Sequence, residues 1–136
     1  MNDPAQGLER LRAAAADGAL DGLCARHGVQ VLTVFGSTVR DIAKPGDLDI
    51  AVSFQPSVNP DVLALLEDLV SLTGVEQVDL LNLDRAAPVA KERGLVGVIP
   101  LYESEPGAYA NAQMAAITTR METERFRQMS LELMAG

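Results

Sequence analysis

Val34-Phe35-Gly36-Ser37-Thr38-Val39-Arg40-Asp41-Ile42-Ala43-Lys44-Pro45-Gly46-Asp47-Leu48-Asp49-Ile50-Ala51-Val52 is the stretch on which the reading of this chain turns. It begins inside an apolar run, Val29 to Phe35, with the length and composition of a buried strand. That run stops at Gly36, a residue free to take the positive φ of a tight turn. Ser37 follows where a short helix, predicted over Thr38 to Ala43, would begin. Its hydroxyl is suited to cap that helix, and the free N–H groups of a helix start favour an anion such as phosphate. Arg40 is placed either to clamp a phosphate or to pair with Asp41 or a neighbouring acidic residue and orient it.

Nine residues separate the Gly36-Ser37 pair from Asp47-Leu48-Asp49, at the start of a second predicted strand, Asp47 to Phe54. Side chains alternate along a strand, so Asp47 and Asp49 share one face while Leu48, Ile50, Val52 and Phe54 enter the core from the other. Two carboxylates held together repel, and a hard divalent cation such as magnesium is their natural counter-ion. A third acid, Asp79, lies within an apolar strand predicted over Val75 to Leu83, with no Lys or Arg near it in sequence. Burying a lone charge is costly, and joining Asp47 and Asp49 at a cation site removes the anomaly. Ser37 as a plain helix cap and Asp47 as a plain turn residue are the alternatives when each is taken alone.

The remaining pattern gives helices over Asp17 to His27, Pro60 to Leu72, Pro88 to Arg93 and about Pro106 to Met134, and a strand near Val98 to Tyr102. Breakers fall at Pro45-Gly46, Pro56, Gly74 and Gly94. The order predicts a single α/β (α+β) domain over residues 1–136, a small mixed sheet with helices packed on one side. Residues 1–16 receive no element and are expected to be poorly ordered. In the final helix Met114, Ile117 and Met121 line one face and Phe126, Met129 and Leu133 a drifted second one. Such stripes are usually core packing, yet this helix outreaches a small sheet and leaves apolar surface for a partner.

A net charge of −8 in 136 residues opposes binding to a polyanion, and with two Tyr, three Phe and no Trp there are few platforms on which bases could stack. Nucleic acid is not expected as a direct ligand. No run reaches signal-peptide or membrane-spanning length, which predicts a cytoplasmic protein without membrane contact. Cys24, the only cysteine, excludes an internal disulfide and reads as a small core residue. His27 reads as a cap at the end of its helix, Lys44 as a solvated loop residue and Glu103 as structural.

The Gly36-Ser37 pair, the nine-residue spacing, Asp47-x-Asp49 and Asp79 together resemble the signature of the nucleotidyltransferase superfamily that includes DNA polymerase beta. Arg40, Asp47-Leu48-Asp49-Ile50-Ala51-Val52, Val78-Asp79-Leu80-Leu81-Asn82-Leu83 and the later Leu101-Tyr102-Glu103 with Pro106 resemble, within it, the minimal nucleotidyltransferases. The likeness runs from about Val29 to the C-terminus; residues before Asp17 match nothing in it. It implies a polymerase-beta-like fold with ATP against Gly36, Ser37 and Arg40. It further implies two magnesium ions on Asp47, Asp49 and Asp79, with these three residues catalytic and Asp79 the candidate base. By analogy it also implies a toxin–antitoxin pair in which AMP passes from ATP to a tyrosine of a HEPN ribonuclease toxin. Association with that toxin or with further copies of the chain is compatible with the sequence. Two other outcomes stay open: an antibiotic adenylyltransferase, and an antitoxin that acts by binding alone.

Overall fold

A computed structural model describes residues 1–40 and 46–135. The second half of the predicted Thr38 to Ala43 helix lies outside the described residues, as do Asp41, Lys44 and Pro45.

Four strands form one mixed sheet: β1 (Val29–Phe35), β2 (Leu48–Phe54), β3 (Val78–Asn82) and β4 (Ile99–Glu103), in the order β3-β2-β1-β4. β1 runs antiparallel to β2 and β4, and β2 runs parallel to β3. Parallel neighbours need a crossover, and α3 (Val62–Thr73), N-capped by the Asp61 side chain, supplies it. β1 and β2 are the central pair, and both are covered on their two faces. This is why they read as near-continuous apolar runs rather than as alternating ones.

Leu32, Val34, Ile50 and Val52 point to the face closed by α1 (Pro4–Asp17), α2 (Ala19–His27) and α3, where Leu11, Leu20, Leu65 and Leu69 are fully buried. The predicted class holds, but the helices occupy both faces. Val31, Phe35 and Ala51 project the other way, and α4 (Pro88–Leu95) and α5 (Ala108–Ala135) cover them through Leu95, Ala108 and Ala116. Poor order was expected of residues 1–16, but Pro4–Asp17 forms α1. Its signal is local: Asp3 and Gln6 exchange backbone-to-side-chain hydrogen bonds of 2.8 and 2.9 Å in a capping box, with Pro4 opening the helix.

α4 approaches the sheet closely because of Gly94. A Cβ there would come within 2.9 Å of Leu83 and 3.0 Å of Ala51. The Gly94 carbonyl accepts a 2.6 Å hydrogen bond from the buried Thr33 hydroxyl. The neighbouring Leu95 carbonyl accepts from the Tyr109 hydroxyl at 2.8 Å and from Gln113 at 3.1 Å, so α5 latches the end of α4.

Beyond that latch α5 leaves the sheet and exposes apolar surface, as its length implied. Its only buried residues are Ala108 and Ala116, while Phe126 is 73% and Leu133 82% exposed. Ion pairs of Glu124 with Arg120 (3.5 Å) and Arg127 (3.8 Å) brace the exposed part, each contributing a few tenths of a kcal/mol. Glu103 is structural, as expected: its carboxylate accepts from the backbone of Gly107 and Tyr109 at the start of α5. His27 does not cap its own helix, whose end is closed by the Gly28 backbone; it bonds Asp68 on α3 at 2.6 Å. Burial pushes the Cys24 thiol up to about 12, leaving an inert core residue. No described helix is long and apolar enough to cross a membrane.

Gly94→Ala is expected to cost about 1–3 kcal/mol by forcing α4 off the sheet, measured as a lower denaturation midpoint at an unchanged slope.

Candidate active site

β1 ends at Phe35, and the chain turns at Gly36 with φ 80° into a single 3-10 turn, Gly36–Thr38. The Val39 and Arg40 amides close this turn on the Gly36 carbonyl, at 3.2 and 3.3 Å. Gly36 is required twice over. Its φ is costly for any other residue, and a Cβ would run into the Asp49 carboxylate on the neighbouring strand. Ser37 is half-buried within the turn and does not cap it; Phe35 holds the cap position, with no side-chain bond. The Thr38 hydroxyl is buried and finds no hydrogen-bond partner among the described residues.

Register brings the acids together. Phe35 lies opposite Asp49 across the antiparallel pair, and Asp49 lies opposite Asp79 across the parallel one. Asp47 stands one residue before β2, whose first amide is tied to the Gln77 carbonyl at 3.0 Å. Asp47, Asp49 and Asp79 each offer an oxygen, all within 4.8 Å of one another. Asp47 and Asp79 are exposed and Asp49 is half-buried. Burial first, then the charges of Asp79 and Asp47, push the Asp49 carboxyl above the usual carboxylate range. Arg93 and Arg40 pull it partway back. Three hard oxygen donors, crowded enough to raise a pKa, are a donor set that fits a divalent cation of the magnesium type.

A cleft of about 170 Å³ adjoins this cluster, lined by Phe35, Gly36, Arg40, Arg93, Val96 and Gly97. Arg40 lines this cleft, and it makes no ion pair with a described carboxylate. Arg93 was not legible in the sequence. It belongs to the last turn of α4, far along the chain from the acids, and only tertiary packing places it here.

No family model matches the chain, and no curated protein sequence does. Solved structures do. A toxin–antitoxin complex with AMP-PNP superimposes with a TM-score of 0.66 at 18% identity, over 88% of this chain and 98% of that one. The complex of a tri-AMPylated HEPN toxin from Shewanella oneidensis with its MNT antitoxin gives 0.62 at 18% identity, over 88% and 96%. At this identity the likeness is one of fold. A structure assigned to the minimal nucleotidyltransferases is 39% identical over 69% of this chain and 95% of its own, with a TM-score of 0.55. Fold and relatives define a nucleotide-transferring enzyme. Within that class, the chain belongs to the minimal nucleotidyltransferases.

Removing one of three crowded charges relieves repulsion. Asp49→Asn should therefore stabilise the metal-free protein by about 0.5–2 kcal/mol, while abolishing any stabilisation by added magnesium. A raised Asp49 pKa means that the folded state takes up a proton before the unfolded state does as pH falls from neutrality. Relative to Asp49→Asn, the wild type should thus gain stability on acidification through the raised pKa and lose it as pH rises. Thermal melts at stepped pH, with chelator and then with magnesium, read both effects.

Proposed function

We propose that this protein transfers AMP from ATP to a hydroxyl of a partner protein, a tyrosine of a HEPN ribonuclease toxin, and so acts as the antitoxin of that toxin. The observation that carries the reading is the cluster of Asp47, Asp49 and Asp79 within 4.8 Å, set beside the Gly36–Thr38 turn and its arginine-lined cleft. The structural neighbours include a HEPN toxin carrying AMP and a complex with an ATP analogue, which supports a protein acceptor and ATP as donor. The exposed apolar residues of α5 also favour a protein partner over a small antibiotic.

Each residue has a role in this reading. Gly36 lets the backbone approach the triphosphate, Ser37 offers a hydroxyl to it, and Arg40 binds the phosphates by charge. Asp47, Asp49 and Asp79 would hold two magnesium ions. When bound, these would neutralise the triphosphate and lower the pKa of the acceptor hydroxyl. Asp79, exposed at the rim, accepts the proton as the tyrosine oxygen attacks the α-phosphorus. The bond from that phosphorus to the bridging oxygen breaks, pyrophosphate leaves, and a tyrosine–AMP ester remains. ATP as donor favours a cytoplasmic reaction.

Incubating the protein with ATP, magnesium and the product of the neighbouring gene, then weighing that product by intact mass spectrometry, should show one or more added AMP units. Asp47→Asn and Asp49→Asn should each lower transfer by at least about 10³-fold, the scale of losing one preorganised electrostatic contact. Transfer of α-labelled phosphate by either variant at the wild-type rate would overturn the assignment. A stable, inhibited complex without added mass would favour antitoxin action by binding alone.

A further inference from the structure

We propose that Arg93 is a nucleotide-binding residue that contacts the two phosphates leaving as pyrophosphate, and so makes the site selective for a triphosphate. The proposal rests on the transferase reading above and deepens it. Arg93 and Arg40 line the same cleft, one from the last turn of α4 and the other from the turn after β1, with Phe35 and Gly36 between them. The Gly36 end of that cleft abuts the Asp49 carboxylate. In this arrangement a phosphate undergoing attack belongs at the carboxylates, and the two phosphates beyond it extend into the cleft toward the arginines. A triphosphate brings about four negative charges to a place that already holds three carboxylates. Fixed cations on the cleft wall offset that burden, and a guanidinium can do so with two parallel hydrogen bonds.

Position supports the same conclusion. Arg93 is exposed and belongs to no ion pair with a described carboxylate, so its guanidinium is available to a ligand. Its backbone, by contrast, is held firmly. The next carbonyl, Gly94, accepts from Thr33, and the one after, Leu95, accepts from Tyr109 and Gln113. A charged side chain on an anchored stem is the arrangement that binds a ligand at low entropic cost. Val96 and Phe35 supply apolar walls to the same cleft.

Calorimetric titration of the whole protein with ATP and with AMP, in magnesium and without any acceptor, separates phosphate recognition from other roles. Arg93→Gln should weaken ATP by at least about tenfold, the loss of one charge-assisted contact, while AMP affinity stays within about twofold. Arg93→Lys should recover part of the loss, and it decides the matter if the glutamine variant proves unstable. In the transfer assay the KM for ATP should rise more than kcat falls. If ATP affinity is unchanged in both variants, the proposal fails while the transferase reading stands. If AMP weakens in parallel with ATP, Arg93 acts by shaping the pocket, and the proposal again fails. If the wild type binds no ATP at all, the transferase reading falls and takes this proposal with it.

Discussion

Three carboxylates within 4.8 Å of one another repel, and the rest of this structure is arranged to hold them there. None of the three could enforce that proximity alone. Asp49 is fixed by the pairing of β2 with both its neighbours, and Asp79 is brought level with it by parallel register. The packing that resists the repulsion lies on the opposite face, where Leu48, Ile50 and Val52 are fully buried against the helices. Burial of apolar area, at about 25 cal/mol per Å², provides the stabilisation against which this electrostatic cost is set. β2 is thus the device that couples them: Leu48, Ile50 and Val52 anchor one face in the core, while Asp49 leads the other face, which is buried only further along at Ala51.

The second face has two occupants. Toward one end, α4 lies so close to Ala51 and Leu83 that only glycine fits at position 94. Toward the other lie the acids and the cleft. α4 ends beside the cleft, and α5 holds that end in place through the Leu95 carbonyl. The Thr33 hydroxyl, a polar group within this apolar layer, is satisfied by the same helix end. Arg93 inherits its position from these contacts, beside a cleft to which its own sequence neighbourhood gives no clue.

What could be read from the chain was local. The glycine turn, the alternating Asp47-Leu48-Asp49 and the lone acid in Val78-Asp79-Leu80-Leu81 follow from rules that span a few residues, and the sheet and the carboxylate cluster follow from them. What escaped was set by tertiary contact. Arg93 is an ordinary helix-end arginine until α4 docks, and His27 reads as a cap because its partner Asp68 lies on another helix. The helices were assigned to one side because strands with continuous apolar runs do not say which elements cover which face. α1 is the exception, since its Asp3-Pro4-x-Gln6 start carries a local capping signal. The exposure of Phe126, Met129 and Leu133 has the opposite cause. A helical stripe records an apolar face, but not whether the chain itself supplies anything to cover it.

The parallel pairing of β2 with β3 has a kinetic corollary. Asp49 and Asp79 become neighbours only after the chain has left β2, built α3 and returned, so the cation site is a contact of long sequence separation. An unfolded chain, or one with β3 still undocked, holds at most the local pair Asp47 and Asp49. Cation affinity therefore belongs to the completed sheet, and any ion bound there stabilises the folded chain by mass action.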